Sequence, residues 1–163
     1  NDKVFIGTYI EDDYSSLITA RTNYSSIDYL KSMITSKEII PLELNKSNTD
    51  IYKNTLHLDC CFQTISNDKA IICLDGFKNK KDVEYLINYF GQKNTFIATS
   101  EETFELTSNV LVISPDVIVT RLKSDRLNSW LENIGVLVEK VNYSNVSKMS
   151  GLFRCSTLPL NRE

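Results

Sequence analysis

One pattern of predicted secondary structure occurs three times along this chain of 163 residues: two short strands, an amphipathic helix and a further strand. The units begin near Val4, Leu56 and Val110, about 52 and 54 residues apart, and a repeat of this length is typical of radially repeated or stacked folds. Helical spacing of apolar residues predicts the helices, and short apolar runs predict the strands. The sequence therefore predicts an α/β fold built from ββαβ units.

The predicted elements keep the same order in every unit. The first unit has strands at 3–8 and 16–20, a helix at 25–36 and a strand at 38–44. The second has strands at 56–65 and 69–74, a helix at 80–91 and a strand at 94–98. The third has strands at 109–114 and 116–120, a helix at 124–134 and a strand at 136–141. A helical turn at 143–149 and a final strand at 151–160 follow.

The length of the chain suits one domain, and we expect residues 1–163 to form it. In a repeat fold each unit needs neighbours, and the terminal units are normally specialised to cover exposed faces. Residues 3–8 show no such specialisation. We therefore expect the domain to be incomplete here and an upstream segment of the same protein to supply the units that precede it.

The charge pattern argues against several classes of partner. The net charge is -3 and the lysines and arginines are scattered, so the chain has no basic footprint for nucleic acid or for an anionic membrane surface. No apolar run reaches the length of about 18 residues that a membrane span requires, and no signal peptide is recognisable.

The four cysteines follow neither a disulfide nor a zinc pattern. They are Cys60, Cys61, Cys73 and Cys155, and the chain contains no C-x-x-C spacing. Reduced thiols in a cytoplasmic protein are the simplest interpretation. We expect no bound metal.

The single histidine, His57, stands two residues before Asp59. In a strand at 56–65, side chains alternate between faces, so His57, Asp59 and Cys61 would share one surface. An imidazole beside a carboxylate could serve one ligand there. A half-buried histidine next to a solvated aspartate explains the same short motif, and both interpretations stay open on this segment alone.

Cys155 lies in a polar stretch, beside Arg154 and before a Ser-Thr pair. The thiolate form of cysteine is the nucleophile, and a neighbouring cation favours it. A cysteine and a histidine far apart in sequence are a candidate catalytic pair, because such partners meet in the fold. Cys61 is a rival nucleophile, and alternation in the strand predicted at 151–160 would turn Arg154 away from Cys155.

Four segments together resemble the guanidino-group-modifying enzymes of the pentein superfamily, which includes arginine deiminase, dimethylarginine dimethylaminohydrolase and glycine amidinotransferase. They are "ARTN" at 20–23, "LHLD" with Phe62 at 56–62, "SNVLVISPDVIV" at 108–119 and "RCSTLPLNRE" at 154–163. The H-L-D and R-C-x-x-x-P-L-x-R-E elements are most similar to arginine deiminase. The resemblance implies a five-fold β/α-propeller of ββαβ units, about three of which are present here.

The resemblance also implies a role for each matching residue. Cys155 would attack the central carbon of a guanidinium, and His57 would act as general acid and base. Asp59 would bind the guanidinium nitrogens, Arg21 the α-carboxylate of the substrate, and Asn109 would line the pocket. No cofactor is implied. The family's glycine-rich run before the nucleophile is reduced here, and its further acidic ligands are missing from the chain.

The implied function is hydrolysis of the guanidino group of arginine or a related small molecule through a covalent S-amidino intermediate, with a ureido product such as citrulline. Charge-assisted carboxylate bonds would orient the flat cation, and the thiol adduct would divide the displacement into two easier steps. The alternatives are an amidinotransferase of the same fold and a non-catalytic propeller that binds a partner.

Overall fold

Three small sheets, each containing a parallel pair of strands, form the fold in the computed structural model, which describes residues 2–149 and 151–160. The strands are Lys3–Thr8 (β1), Glu38–Glu43 (β2), Phe62–Thr64 (β3), Ala70–Cys73 (β4), Thr95–Ala98 (β5), Leu111–Ser114 (β6), Val117–Arg121 (β7) and Leu137–Val141 (β8). The helices are Tyr24–Met33 (α1), Lys80–Phe90 (α2), Ser100–Phe104 (α3), Asp125–Asn133 (α4) and Ser144–Ser147 (α5).

The ββαβ order predicted for the second and third units is confirmed. β3 pairs antiparallel with β4, and β4 pairs parallel with β5 across the crossover helix α2. β6, β7, α4 and β8 repeat this arrangement. A parallel pair requires such a crossover, because a tight turn can join only antiparallel strands. In the first unit β1 pairs parallel with β2 across α1.

The first unit differs from the prediction at residues 16–20, which do not form a strand. A 3₁₀ turn at Asp12–Ser16 is followed by a further turn in which Ala20 N–H donates to the carbonyl of Leu17 at 3.2 Å. Within the run "LITA", Ala20 N–H donates inside the turn and Ile18 N–H donates to Asn48 Oδ1 at 3.0 Å, so these groups are not used for strand pairing. As a result, β1 has β2 as its one strand neighbour among the described residues.

One continuous core joins the three units. β4 is buried on both faces, which accounts for its unbroken apolar sequence. α2 contributes Leu86 and α4 contributes Leu127 and Leu131, all fully buried. Burying each of these leucines contributes roughly 1.5–3 kcal/mol to the stability of the fold. The burial keeps α2 and α4 packed in the core.

The segment around His57 is also not the strand that alternation predicted. Only Phe62–Thr64 pairs as a strand, and Leu58–Cys60 forms a 3₁₀ turn. The turn closes on itself, with Cys61 N–H donating to the carbonyl of Leu58 at 3.0 Å. Alternation therefore fails before residue 62.

A second helical turn replaces the strand predicted at 151–160. Ser156 N–H donates to the carbonyl of Leu152 at 3.1 Å, and the hydroxyl of Ser156 donates to the same carbonyl at 2.7 Å. Thr157 repeats the hydroxyl bond to Phe153. Hydroxyl side chains that bond the carbonyl four residues back favour a turn over an extended strand.

The helix α3 was not predicted. Thr99 caps it by accepting from Glu102 N–H, and the Glu102 carboxylate accepts from Thr99 N–H at 2.8 Å. This capping box is visible in the sequence as a threonine followed three residues later by a glutamate.

The segments that carry the candidate residues lie at corresponding ends of two sheets. Phe62 at the start of β3 is opposite Ile72, so the residues before β3 lie beside the carboxyl end of β4. Leu111 is opposite Val119, so the residues before β6 lie beside the carboxyl end of β7. The repeat thus brings residues 57–60 and 108–109 to one end of the molecule.

Within the described residues, no helix has both the length and the apolar character that crossing a membrane would need.

Gly76→Ala should destabilise the fold strongly. A Cβ at Gly76 would lie 2.2 Å from Cys61 Cβ and 2.9 Å from its sulfur. We expect a loss of roughly 3 kcal/mol in the free energy of unfolding, as for overpacked cores, measured by denaturant titration. Adding Cys61→Gly should recover part of that loss, whereas adding Cys61→Ala, which keeps the clashing Cβ, should not. A loss below about 0.5 kcal/mol, typical of surface substitutions, would contradict the close packing.

Candidate active site

The turn at residues 152–156 presents the thiol of Cys155 at the surface. Leu152 and Phe153 are buried, and the ring of Phe153 stacks on Tyr143 with centroids 4.4 Å apart. Cys155 itself is exposed. A Cβ on Gly151 would stand 3.1 Å from Cys155 Cβ, so glycine lets the chain pass close beside the cysteine. The turn is therefore anchored in the core on one side and carries its nucleophile on the other.

The side-chain amide of Asn109 joins this turn to the H-L-D segment. Its Nδ2 donates to Asp59 Oδ2 at 3.0 Å and to Cys155 Sγ at 3.2 Å. Its Oδ1 accepts from the backbone N–H groups of Arg154 at 3.0 Å and Cys155 at 3.3 Å. Asn109 is 0% exposed, and it is not among the residues that line the neighbouring cavity.

Asp59 and Cys155 are direct neighbours although 96 positions separate them. Cys155 Sγ lies 3.7 Å from Asp59 Oδ2. The backbone carbonyl of Asp59 accepts from the hydroxyl of Ser108 at 3.0 Å, which fixes the 3₁₀ turn against the segment before β6. The structure thus brings Asp59, Asn109 and Cys155 into one hydrogen-bonded group.

His57 faces the same cavity as Cys155. The cavity has a volume of about 540 Å³, and its wall also includes Cys60, Asp75 and a group of apolar side chains. The apolar group comprises Ile51, Tyr52, Leu56, Phe104 and Leu106. His57 is exposed and has extended backbone at the start of the 3₁₀ turn. An imidazole, a thiol and the Asp75 carboxylate therefore open onto one concave space large enough for a small molecule, whereas Asp59 lies in the wall of a separate groove.

Lys46 holds the backbone that leads to His57. Its ammonium donates to the carbonyls of Thr55 at 2.5 Å and Leu56 at 3.0 Å. Burial, together with the charge of Arg21, lowers the pKa of Lys46 to about 8. The sequence contained no signal for this contact, because a lysine that bonds backbone carbonyls leaves no pattern in the letters.

Arg21 is not brought into the group around Cys155. Its Nη1 donates to the carbonyls of Ile18 at 2.9 Å and Ala20 at 2.8 Å, and it is not a lining residue of the cavity. Its charge nevertheless contributes to the lowered pKa of Lys46.

The other thiols differ sharply from Cys155. Cys61, the rival nucleophile, is 0% exposed and packs against Gly76, so the prediction that it shares a surface with His57 is wrong. Burial raises the pKa of Cys61 well above its ordinary value and that of Cys60 to about 11. A buried neutral thiol is a poor nucleophile. Arg154 is exposed, as is Cys155, because both lie in a turn and not in a strand.

Three further polar groups near the site were not predicted from the sequence. They are the Ser108 hydroxyl, the Asp75 carboxylate, which accepts from Ser100, and the Lys46 ammonium. Within residues 2–149 and 151–160, no group of three or more histidine, cysteine, aspartate or glutamate side chains could hold a metal ion. The final residues of the "RCSTLPLNRE" motif, 161–163, lie outside the described residues, as does Ser150.

Known proteins resemble the chain in sequence. A family model described as arginine deiminase matches residues 79–162. The uncharacterized protein YkgA of Bacillus subtilis (strain 168) is 29% identical over 155 residues, which cover 94% of this chain and 50% of YkgA. The chain spans about half the length of the curated relatives it matches.

Solved structures resemble the chain in fold. The N-terminal domain of ArgZ, an arginine dihydrolase from cyanobacteria, superposes with a TM-score of 0.74 at 19% identity, covering 96% of this chain and 50% of that chain. SxtG, an amidinotransferase from Microseira wollei, gives a TM-score of 0.71 at 15% identity, covering 99% of this chain and 45% of that chain. At these identities the likeness shows a shared mixed α/β fold.

Replacing Lys46 should change how stability depends on pH. Its folded pKa of about 8 lies below the ordinary lysine pKa of 10.5. Between these values the unfolded chain binds more protons, so the Lys46 contribution to the unfolding free energy rises with pH. The raised pKa of Cys60 acts in the opposite direction, so the informative quantity is the difference between wild type and Lys46→Met. We expect that difference to grow in favour of wild type from about pH 8 to about pH 10.5.

Urea unfolding at several pH values measures this difference. Lys46→Arg is the matched control, because a guanidinium stays charged across the window and cannot produce the same rise. A difference between wild type and Lys46→Met that is independent of pH would contradict the assignment.

Proposed function

The chain belongs to the arginine deiminase family, and from this membership we propose that it forms the nucleophile-bearing part of a hydrolase acting on the guanidino group of arginine or a related compound. The membership confirms the resemblance to the guanidino-group-modifying superfamily. Its relatives include arginine deiminase, arginine dihydrolase and amidinotransferase proteins.

One observation carries the proposal: Cys155 Sγ lies 3.7 Å from the Asp59 carboxylate and shares a cavity with His57. A guanidinium is a flat, delocalised cation and a poor electrophile. A carboxylate orients it through charge-assisted hydrogen bonds, and a thiol beside that carboxylate then stands close to its central carbon. A binding module has no need for this combination.

The reaction proceeds in two displacements. The Cys155 thiolate adds to the guanidinium carbon, and the tetrahedral adduct collapses with loss of ammonia or an amine, to which His57 gives a proton. This leaves an S-amidino intermediate on Cys155. His57 then takes a proton from water, the water oxygen bonds to the same carbon, and the carbon–sulfur bond breaks to release the ureido product and regenerate the thiolate.

The close alternative replaces water by an acceptor amine. The fold likeness to the amidinotransferase SxtG keeps this alternative in view. The two reactions differ in the second step alone. Oxygen from labelled water would appear in the product of a hydrolase, whereas a transferase would form product only when an acceptor such as glycine is added.

Arg21 is proposed to meet the α-carboxylate of the substrate in the whole protein. The proposal rests on the "ARTN" resemblance and on the influence of the Arg21 charge on Lys46, which bonds the carbonyl of Leu56 beside His57. No cofactor takes part in this scheme. All four cysteines are free thiols, which suits a reducing cytoplasm.

We further propose that the three units belong to a β/α-propeller of five, completed by the rest of the protein. β4 and β7 each have an antiparallel neighbour on one edge and a parallel neighbour on the other. β1 has its parallel neighbour alone among the described residues. A groove of about 340 Å³ runs between β1 and β3 and includes Asp59 in its wall. An antiparallel strand on the free edge of β1 would give the first unit the form of the others.

Cys155→Ser should abolish turnover. With the whole protein and a panel including arginine and dimethylarginine, we expect ammonia or amine release to fall by about four orders of magnitude or more. Cys60→Ser, which alters another thiol in the same cavity wall, should retain most of the activity. Equal loss in both variants, or unchanged turnover in Cys155→Ser, would exclude Cys155 as the nucleophile.

His57→Gln should slow the reaction by about 10²- to 10⁴-fold, the usual worth of general acid–base catalysis. Because the second displacement loses its base, the S-amidino adduct should accumulate. Mass spectrometry of the Cys155 peptide after mixing with substrate measures it. Normal turnover in this variant would remove His57 from the mechanism.

Hydrogen exchange tests the free edge of β1. In the whole protein the amides of β1 should be protected about as well as those of β4, and in residues 1–163 alone they should exchange faster while β4 stays protected. Equal protection of β1 in both would show that no strand docks there.

A further inference from the structure

Every hydrogen-bonding group of the Asn109 side chain already has a partner at Asp59, at Cys155 or at the backbone N–H of Arg154. Two backbone N–H groups occupy its oxygen, and its two N–H groups go to Asp59 Oδ2 and Cys155 Sγ. The side chain is fully buried and does not line the cavity. An asparagine that bound substrate would keep at least one hydrogen-bonding group unpaired for it.

We propose that Asn109 is a positioning residue that sets the sulfur of Cys155 against the carboxylate of Asp59, an inference that rests on the proposed function. It acts on the nucleophile through a buried amide and touches no substrate. Its role therefore differs from the pocket-lining role that the family resemblance implied.

The chemistry of the amide explains why asparagine stands at this position. Only the oxygen can accept from the backbone of Arg154 and Cys155, so the orientation of the amide is determined and the nitrogen must face the sulfur and the carboxylate. A thiolate 3.7 Å from an ionised carboxylate is repelled by it. Two N–H donors from one side chain, directed at both atoms, offset that repulsion.

The backbone around Asn109 is held before any substrate arrives. Asn109 N–H donates to the carbonyl of Leu106 at 2.9 Å, and the buried Val110 follows it into β6. Ser108 bonds the backbone of Asp59 from the same segment. The position of the Asn109 amide is thus fixed by its own segment, and its oxygen aligns the turn that carries Cys155.

Replacing Asn109 by aspartate tests the role of the amide nitrogen separately from that of the amide oxygen. Asn109→Asp keeps an oxygen for the backbone donors and replaces the nitrogen by an oxygen that faces two groups able to carry negative charge. Asn109→Ala removes both halves. Asn128→Ala is the matched control, because it removes a similarly buried asparagine whose side chain bonds Thr120 and the carbonyl of Arg121 instead of Asp59 and Cys155.

The alkylation rate of Cys155 by iodoacetamide measures the effect without requiring turnover. In the whole protein, with peptide mapping and correction for folded fraction, we expect that rate to fall by about tenfold or more in Asn109→Asp and Asn109→Ala. Asn128→Ala should change the alkylation rate by less than about threefold. In turnover assays kcat should fall with KM little changed, because the residue touches no substrate.

A wild-type measurement covers the case in which the variants do not fold. Alkylation of Cys155 should shift the side-chain ¹⁵N resonance of Asn109, and an unshifted resonance overturns the proposal. The proposal is also overturned if Cys155 is alkylated in the Asn109 variants as fast as in Asn128→Ala, or if those variants raise KM at constant kcat. If the wild type acts on no guanidino compound while alkylation still depends on Asn109, the proposed function fails and the positioning role stands.

Discussion

Parallel pairing within each unit is the constraint on which the rest of the structure depends. A parallel pair must be closed by a crossover helix, and the helix must be buried against its own sheet to be stable. In the second and third units the first strand is antiparallel to the middle strand. It therefore begins beside the carboxyl end of the middle strand. The loops before β3 and β6 therefore meet at one end, and the chemistry-bearing residues of two distant segments become neighbours.

Sequence periodicity predicted the elements that this constraint governs. The helices α2 and α4 and the strands β4, β5, β7 and β8 lie within about two residues of their predicted bounds, because their apolar faces must match the core. The sequence pattern was less informative where backbone groups hydrogen-bond within a short turn. The turns at Leu58–Cys60 and 152–156 were predicted as strands, since alternating apolar letters look alike in a strand and in a short turn anchored at one end.

Several residues of the candidate group were predicted, but its geometry was not. His57, Asp59 and Cys155 were singled out from the sequence and given roles by the family resemblance, whereas Asn109 and Arg21 came from the resemblance alone. Arg21 is not brought into the group, and alternation was an unsound reason to place His57 and Asp59 on one face. What the sequence could not indicate is the division between residues that face the cavity and residues that support them. That division depends on burial: Asn109 and Cys61 are buried and His57 and Cys155 are exposed, although all four lie in polar or mixed segments.

Burial also selects one thiol out of four. It raises the pKa of Cys60, Cys61 and Cys73, so these sulfurs stay neutral and inert over the physiological range. Cys155 is exposed on a turn whose apolar residues are buried on its other side.

The remaining demand comes from the shape of a guanidinium. Its N–H groups spread around the carbon in one plane, and the thiol must approach that carbon from outside the plane. A single carboxylate beside the sulfur therefore hydrogen-bonds only one edge of the cation. Asp75 offers a carboxylate in the wall of the cavity that His57 and Cys155 line, whereas Asp59 lines the neighbouring groove. Asp59 lines the groove between β1 and β3, and β1 has no antiparallel neighbour among the described residues. In the proposed five-unit propeller, the segment that completes the first unit is therefore where we expect the further carboxylates for the cation.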